Sequence, residues 1–407
     1  MVSTTEFDEL IEVLRDFIRR EVMPAEAGID ESDEIPGRLI AQAKEMGLYG
    51  YALPAEFGGL GLSVQQQVLV TMELGYTSPA FRSLFGTNNG IAGQVLVLAG
   101  TEEQRKQWLP RLASGEVVAS FALTEPDAGS DPSRLVTSAV PDPGPDPGPD
   151  PGPDPGPDPG PDPGPEAGPG GGGWVIDGLK RYITNAPAAD VFMVFARTDP
   201  AAPPGKGIGV FIVPAGLDGV SVAAKDHKMG QAGAWTADVS FSGVRVPRDA
   251  LVGEAAAAGY STAMRSLAHG RLIIAALCTG VAARLIDESV TYARERSQGG
   301  HPIADYQLVQ AMLADSQTEY MAARALVLDA AARYDAGTDQ RLAPSAAKYF
   351  ASEAVGRIAD RAVQIHGGSG YMRGVPVERL YRDVRLFRIY EGTSQIQQLV
   401  IAREMLR

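Results

Sequence analysis

Residues 173–185 read GWVIDGLKRYITN. The chain before Val117 has helical spacing, so whether this stretch is strand or helix decides the fold class. Trp174, Val175, Ile176, Tyr182, Ile183 and Thr184 favour strands, and Asp177-Gly178 is the dipeptide of a tight hairpin turn. The stretch predicts two strands joined at that dipeptide. Tyr182 and Thr184 lie two apart and point to one face of the second strand. Outward from it, VVASFALTE (117–125), VFMVFART (191–198), GIGVFIVP (207–214), GVSVAA (219–224) and TADVSFSGVRVP (236–247) are further Val-, Ile- and Phe-rich runs separated by turns. Residues 117–246 therefore read as an all-β unit.

The flanks read as helix. Ser3-x-x-Glu6 forms a capping-box pattern, and Phe7, Leu10, Ile11, Leu14, Phe17 and Ile18 share one helical face. Thr101 with Gln104 opens another helix that runs toward Gly115, which Pro110 is expected to bend or end. Long Ala- and Leu-rich segments follow Asp249. The expected organisation is a helical domain over 1–116, a β domain over 117–246 and a helical domain over 247–407.

Six copies of Pro-Asp-Pro-Gly occupy 141–164. Strand-like residues stand on both sides, RLVTSAV before and WVIDG after. The run, taken as about 141–173, is therefore expected as an insertion at a hairpin tip inside the β domain. Polyproline II or successive type II turns both suit its composition. Its aspartates and Glu166 supply half of the net charge of −14. The remaining mildly acidic body argues against nucleic acid or an anionic membrane as partner. One cysteine, Cys278, excludes a disulfide framework, and four scattered histidines give no metal-ligand spacing. With no apolar signal core at the start, a soluble cytoplasmic protein is expected.

Three segments carry chemistry. FALTEPDAGSD (121–131) brings a strand end to Thr124 and then a turn exposing Gly129 and Ser130, either a set of donors for a polar ligand or an ordinary strand exit. KRYITNA (180–186) pairs an aromatic ring with a hydroxyl. LFRIYEGTSQIQ (386–397) sets Glu391 between an apolar approach and a Gly-Thr turn. There it is either a general base of raised pKa or a glutamate favoured by a helix N-terminus.

Together TEPDAGSD, YITNA, QIHGGSGY and IYEGTSQIQ resemble, in order and context, the acyl-CoA dehydrogenase family of flavoproteins over the whole chain except the repeat. The resemblance implies an α+β multidomain fold: N-terminal helical domain, middle β-barrel or sandwich domain and C-terminal four-helix bundle. It implies FAD as cofactor, contacted by Phe121, Leu123, Thr124, Ser130, Tyr182, Thr184, Thr393 and Gln395. Arg296, Gln298, Gln307, Gln364, Gly367 and Gly368 would reach the cofactor across a dimer interface, within a homotetramer built as a dimer of dimers. Glu391 would be the base that removes an α-proton from an acyl-CoA while hydride passes to flavin N5. Ser130, Arg271 and Gly392 would meet the substrate. An electron-transfer flavoprotein is the implied acceptor. An acyl group tethered to a carrier protein, or an oxidase using O2, are the alternatives. Some members place the base just before the arginine matching Arg271; here that position is Gly270, leaving Glu391 as the candidate. Tyr182 replaces the usual Trp and Gly299 the usual Phe, an exchange expected to loosen FAD. Asn88 and Asn89 are expected either to make the acyl-pocket wall polar or to bond a helix backbone.

Overall fold

The structure, a computed structural model, describes residues 3–144 and 172–407. Helices come first: α1 (Thr4–Phe17), α2 (Glu26–Ser32), α3 (Gly37–Glu45), α4 (Val64–Leu74), α5 (Pro79–Asn89), α6 (Gly93–Ala99) and α7 (Glu102–Ala113). Ser3 and Thr101 each close a capping box, as their spacing predicts. Pro110 does not end α7, which continues to Ala113. Proline removes only the bond to the carbonyl of residue 106, and both Lys106 and Pro110 are exposed, so water can take that bond's place.

The strands are β1 (Ala119–Ala122), β2 (Ser138–Pro141), β3 (Gly173–Thr184), β4 (Val191–Arg197), β5 (Ile208–Pro214), β6 (Val220–Val222) and β7 (Thr236–Pro247). They form one mixed sheet of order β1-β4-β2-β3-β7-β6, with β5 on β4. The unbroken apolar run of β4 is explained by burial on both faces. Val191, Met193 and Phe195 meet the helices with Leu96 and Leu109, whereas Phe192, Val194 and Ala196 pack with Phe211, Val239 and Phe241.

Asp177-Gly178 is not a hairpin turn. β3 runs straight through it, paired with β7 on both sides, and the dipeptide marks a register shift. Glycine is needed there because a Cβ would lie 2.3 Å from Thr137 Oγ1. Asp177 Oδ1 accepts from Gly243 N–H at 2.7 Å, so its side chain serves the bulge. The hairpin partner of β3 is β2, antiparallel to it as far as Pro141 opposite Trp174. The flanks of the repeat thus form the expected hairpin pair. The first repeat aspartate, Asp142, takes Arg245 Nη1 at 2.6 and 2.7 Å. The two readings of the repeat's own conformation fall outside the described residues.

The last part comprises α8 (Gly259–Glu295), a short hairpin of β8 (Ser297–Gln298) and β9 (His301–Pro302), α9 (Gln307–Asp335), α10 (Leu342–His366), α11 (Pro376–Val384) and α12 (Ser394–Met405). α8 is long and apolar enough to cross a membrane, but 89% of its apolar window is buried inside the fold. Its residues 272–286, including Cys278, share one core with α4, α9 and α10. Helices α4 and α8 approach closely where Gly75 meets Gly280; a Cβ on Gly280 would fall 2.1 Å from Met72 O.

Candidate active site

A cavity of about 780 Å³ opens where α5, the end of β1, the end of β3, α8 and the turn before α12 converge. Glu391 lines it. The chain turns sharply there: Glu391 has φ 53° and Gly392 φ 90°. A left-handed glutamate costs about 1–3 kcal/mol and persists where surroundings hold it. Lys348 Nζ donates to Gly392 O at 2.7 Å, and Gln397 Nε2 donates to Glu391 O at 3.1 Å and to Gly392 O at 3.0 Å. The carboxylate lies against Gly270, whose missing side chain makes the space: a Cβ there would fall 2.3 Å from Glu391 Oε2. That oxygen is buried and has no hydrogen-bond partner among the described residues. Burial pushes Glu391 above the ordinary carboxylate range, while Arg82, Lys348 and Arg271 pull it partly back. The opposed effects leave a desolvated carboxylate suited to accepting a proton.

Phe121, Leu123, Thr124, Ser130, Tyr182 and Thr184 line the same cavity. Thr184 and Tyr182 reach it together, though not by plain strand alternation. A second register shift between Lys180 and Ile183, with Tyr182 at φ 57°, turns the exposed tyrosine ring toward the opening. Apolar walls from Phe121, Leu123 and Ile183 beside the hydroxyls of Thr124, Ser130, Tyr182 and Thr184 fit a flat ring system carrying a polyol. Gly392 lines the cavity too, but Thr393 and Gln395 are not among the cavity's walls. Thr393 Oγ1 instead caps α12, accepting from Ile396 N–H at 3.3 Å.

Arg296, Gln298, Gln307, Gln364, Gly367 and Gly368 are exposed, and none of them lines the cavity. Tyr292 draws the two sequence groups toward each other by stacking on His366 at 4.2 Å and donating to Ser369 Oγ at 3.4 Å. Gly299 and Gly300, at φ 64° and 88°, join β8 to β9 in a two-residue turn that an aromatic residue would strain. Tyr306 Oη lies 2.8 Å from where a Gly299 Cβ would stand, and donates to Gln298 O at 2.7 Å.

The structure decides between the two readings of Asn88 and Asn89 in favour of backbone bonding. Asn88 and Asn89 do not wall the cavity. Asn88 Nδ2 donates to Leu112 O and Val117 O and its Oδ1 accepts from Ala119 N–H, tying α5 to α7 and β1. Asn89 bridges Leu48 O, Phe85 O and Ala52 N–H in the same way. Every side-chain hydrogen bond of both goes to backbone. Arg271, which the resemblance places near the substrate, is mid-helix in α8, 7% exposed, and lines the cavity near Glu391.

Other functional groups were invisible in the motifs. Arg82 lines the cavity from α5. Lys348 sits in an Ala-rich helix with its Nζ on the glutamate turn. Behind the cavity-lining residues at the ends of β1 and β3, Lys180 Nζ is fully buried and donates to Glu125 Oε1 at 2.8 Å, Phe195 O at 2.6 Å and Leu123 O at 3.2 Å. Glu125 also accepts from the N–H groups of Val136 and Thr137. This pair anchors Leu123 and Thr124 at the cavity edge. The only signal was charge inside strand- or helix-forming runs, a weak one, because such charge is usually solvated.

Comparison with known proteins gives a consistent result. Residues 4–116, 166–244 and 257–406 match the acyl-CoA dehydrogenase N-terminal, middle and C-terminal domains respectively. A 3-(aryl)acrylate reductase of Clostridium sporogenes is 37% identical over 404 residues, covering 99% of each chain. The caffeyl-CoA reductase-Etf complex subunit CarC of Acetobacterium woodii is 37% identical over 394 residues, covering 97% of this chain and 96% of that one. The structure of butyryl-CoA dehydrogenase from Megasphaera elsdenii superposes with a TM-score of 0.89 at 30% identity, covering all of both chains.

Proposed function

The chain belongs to the acyl-CoA dehydrogenase family, FAD-dependent oxidoreductases acting on a CH–CH bond, and from that premise we propose that Glu391 takes the α-proton of an acyl-CoA thioester, forming the trans-2-enoyl-CoA. The observation that carries this reading is the Glu391 carboxylate facing the cavity, desolvated and with Oε2 unpartnered.

FAD, when bound, supplies the acceptor for the β-hydrogen and its electron pair. Phe121, Leu123, Thr124, Ser130, Tyr182 and Thr184 would hold its ring system and side chain. The protein's part is to acidify the α-carbon and collect its proton. The backbone N–H of Glu391 makes no hydrogen bond among the described residues and is available to the thioester oxygen. A donor there stabilises the enolate-like charge that develops as the α-proton leaves. The Lys348 and Gln397 bonds keep that N–H and the carboxylate on one rigid turn. An acyl chain filling the cavity excludes water and strengthens both effects.

The exposed group around Arg296 and Gly368 supports a dimer-based assembly, in which these residues complete a neighbouring subunit's FAD site. A homotetramer made of two such dimers is the assembly we propose. The Acetobacterium relative is named as part of an Etf complex. By that likeness the electrons leave to an electron-transfer flavoprotein past the exposed Tyr182. Replacing Glu391 by Gln tests the central assignment. The variant should keep its yellow flavin and lose anaerobic bleaching by acyl-CoA. Bleaching at the wild-type rate would assign the base elsewhere.

A further inference from the structure

Thr184 is the last residue of β3 and lines the cavity, and its Oγ1 makes no hydrogen bond among the described residues. The hydroxyl is free for a ligand, and no protein partner sets its direction. A threonine side chain is stiff at χ1, so the backbone beneath it decides where the hydroxyl stands. That backbone is unusual. Left-handed residues flank the Ile183-Thr184 pair, Tyr182 at φ 57° and Asn185 at φ 62°. A tyrosine keeps such a conformation only where its surroundings hold it.

The holding groups come from three directions. Ser120 Oγ, fully buried on β1, donates to Thr184 O at 2.7 Å. Asn185 N–H donates to the carbonyl of Trp235, just before β7, at 2.8 Å. The Asn185 side chain, itself buried, crosses to α5, where Nδ2 donates to Ser83 O at 2.8 Å and to Thr87 Oγ1 at 3.0 Å. Asparagine suits both tasks: it enters the left-handed region more readily than most residues, and its amide supplies two donors. Ser83 and Thr87, with Gly86 between them, line the same cavity as Thr184. One side chain therefore ties the α5 wall to the end of β3. Neither Ser120 nor Asn185 lines the cavity, so both act on it through Thr184.

We propose that Asn185, backed by Ser120, is a positioning residue for the reaction: it fixes the Thr184 hydroxyl toward the bound flavin and holds it in one frame with the α5 wall. A hydrogen-bond donor aimed at the flavin favours its electron-rich reduced form. Small misplacements of reacting groups cost rate steeply. This inference rests on the dehydrogenation reading above and deepens it.

The test uses the FAD-loaded enzyme with two readouts. One is kcat and KM from anaerobic bleaching by butyryl-CoA or 3-phenylpropanoyl-CoA, whichever is faster. The other is the flavin reduction potential against a reference dye, which needs no substrate. Asn185→Gly keeps the left-handed backbone accessible and removes the bonds to α5. It should lower kcat about tenfold, change KM by less than about twofold, and make the potential more negative. Ser120→Ala should move kcat and potential in the same direction. In a Thr184→Val background, which already lacks the hydroxyl, Asn185→Gly should add less than about a twofold further loss. Unchanged kcat and potential in Asn185→Gly, or its full loss added on top of Thr184→Val, would overturn the assignment. So would a raised KM with kcat intact, or loss of FAD from both single variants, because the two residues would then serve binding or folding. Wild-type flavin bleached by neither acyl-CoA would instead sink the dehydrogenation reading, leaving the positioning to be judged on the potential alone.

Discussion

Gly270 is the residue on which the base depends most directly. Adding one methyl group there intrudes to 2.3 Å from Glu391 Oε2. Gly270→Ala is expected to displace the carboxylate and lower kcat by about 10²-fold while flavin content stays unchanged. Stopped-flow bleaching beside the flavin absorbance ratio checks both halves. Because burial raises Glu391 and the base must be ionised to act, kcat/KM should climb with pH through a midpoint above the ordinary value of 4.5. A midpoint at or below that value would show the carboxylate to be solvated in the free enzyme. Glu391 was legible in the sequence because Tyr390, Glu391, Gly392 and Thr393 are contiguous. Arg82, Lys348 and the burial of Arg271 were not. Each is a lone charge in a helix of ordinary pattern, and only tertiary packing turns it inward.

At the scale of elements, β3 does more than its length requires. Its two register shifts set Tyr182 and Thr184 at the cavity, and between them Lys180 is sealed against Glu125. Burial draws the Lys180 ammonium down to about 8, against the pull of Glu125. Replacing Lys180 by Met would strand a buried carboxylate, so a loss of about 3–5 kcal/mol is expected, read as a lower midpoint in urea. Lys180→Met combined with Glu125→Gln should recover part of it, since no bare charge then remains. The strands themselves were readable from Val, Ile and Phe content. Asp177-Gly178 misled because the same dipeptide suits a turn and a bulge; the choice was made by Thr137, which presses on Gly178 from just before β2, 41 residues earlier in sequence.

Across the whole molecule, the short helix α2 joins the N-terminal helices to the other two parts. Glu26 is buried and pairs with Arg379, lies 3.5 Å from Arg284, and accepts from Thr77 Oγ1 at 2.6 Å. Asp30 takes Arg382 through two nitrogens, and Asp33 Oδ1 accepts from Gly233 N–H at 2.7 Å near the start of β7. Glu26→Ala leaves the buried Arg379 without its paired carboxylate, while Arg284 keeps Glu288 at 2.7 Å. It should cost about 3–5 kcal/mol, visible as an earlier thermal or urea transition of the FAD-loaded protein. An unmoved midpoint would mean that water fills the gap at no cost. The order helix, sheet, helix was plain in the sequence, as was the hairpin that carries the repeat. The joints between the parts were not, because Glu26, Asp30 and Asp33 look like an ordinary solvated acidic helix until Arg379 and Arg382, some 350 residues away, meet the first two and Lys225 and Gly233, some 200 residues away, meet the third.

The contact between Gly270 and Glu391 also has a historical consequence. Two places for a base on facing elements look like independent options, but a Cβ at 270 would stand 2.3 Å from Glu391 Oε2, so the two positions compete for one space. A side chain acquired at 270 would push the Glu391 carboxylate out of its present position, so a second base there would come at the expense of the first rather than as a spare beside it.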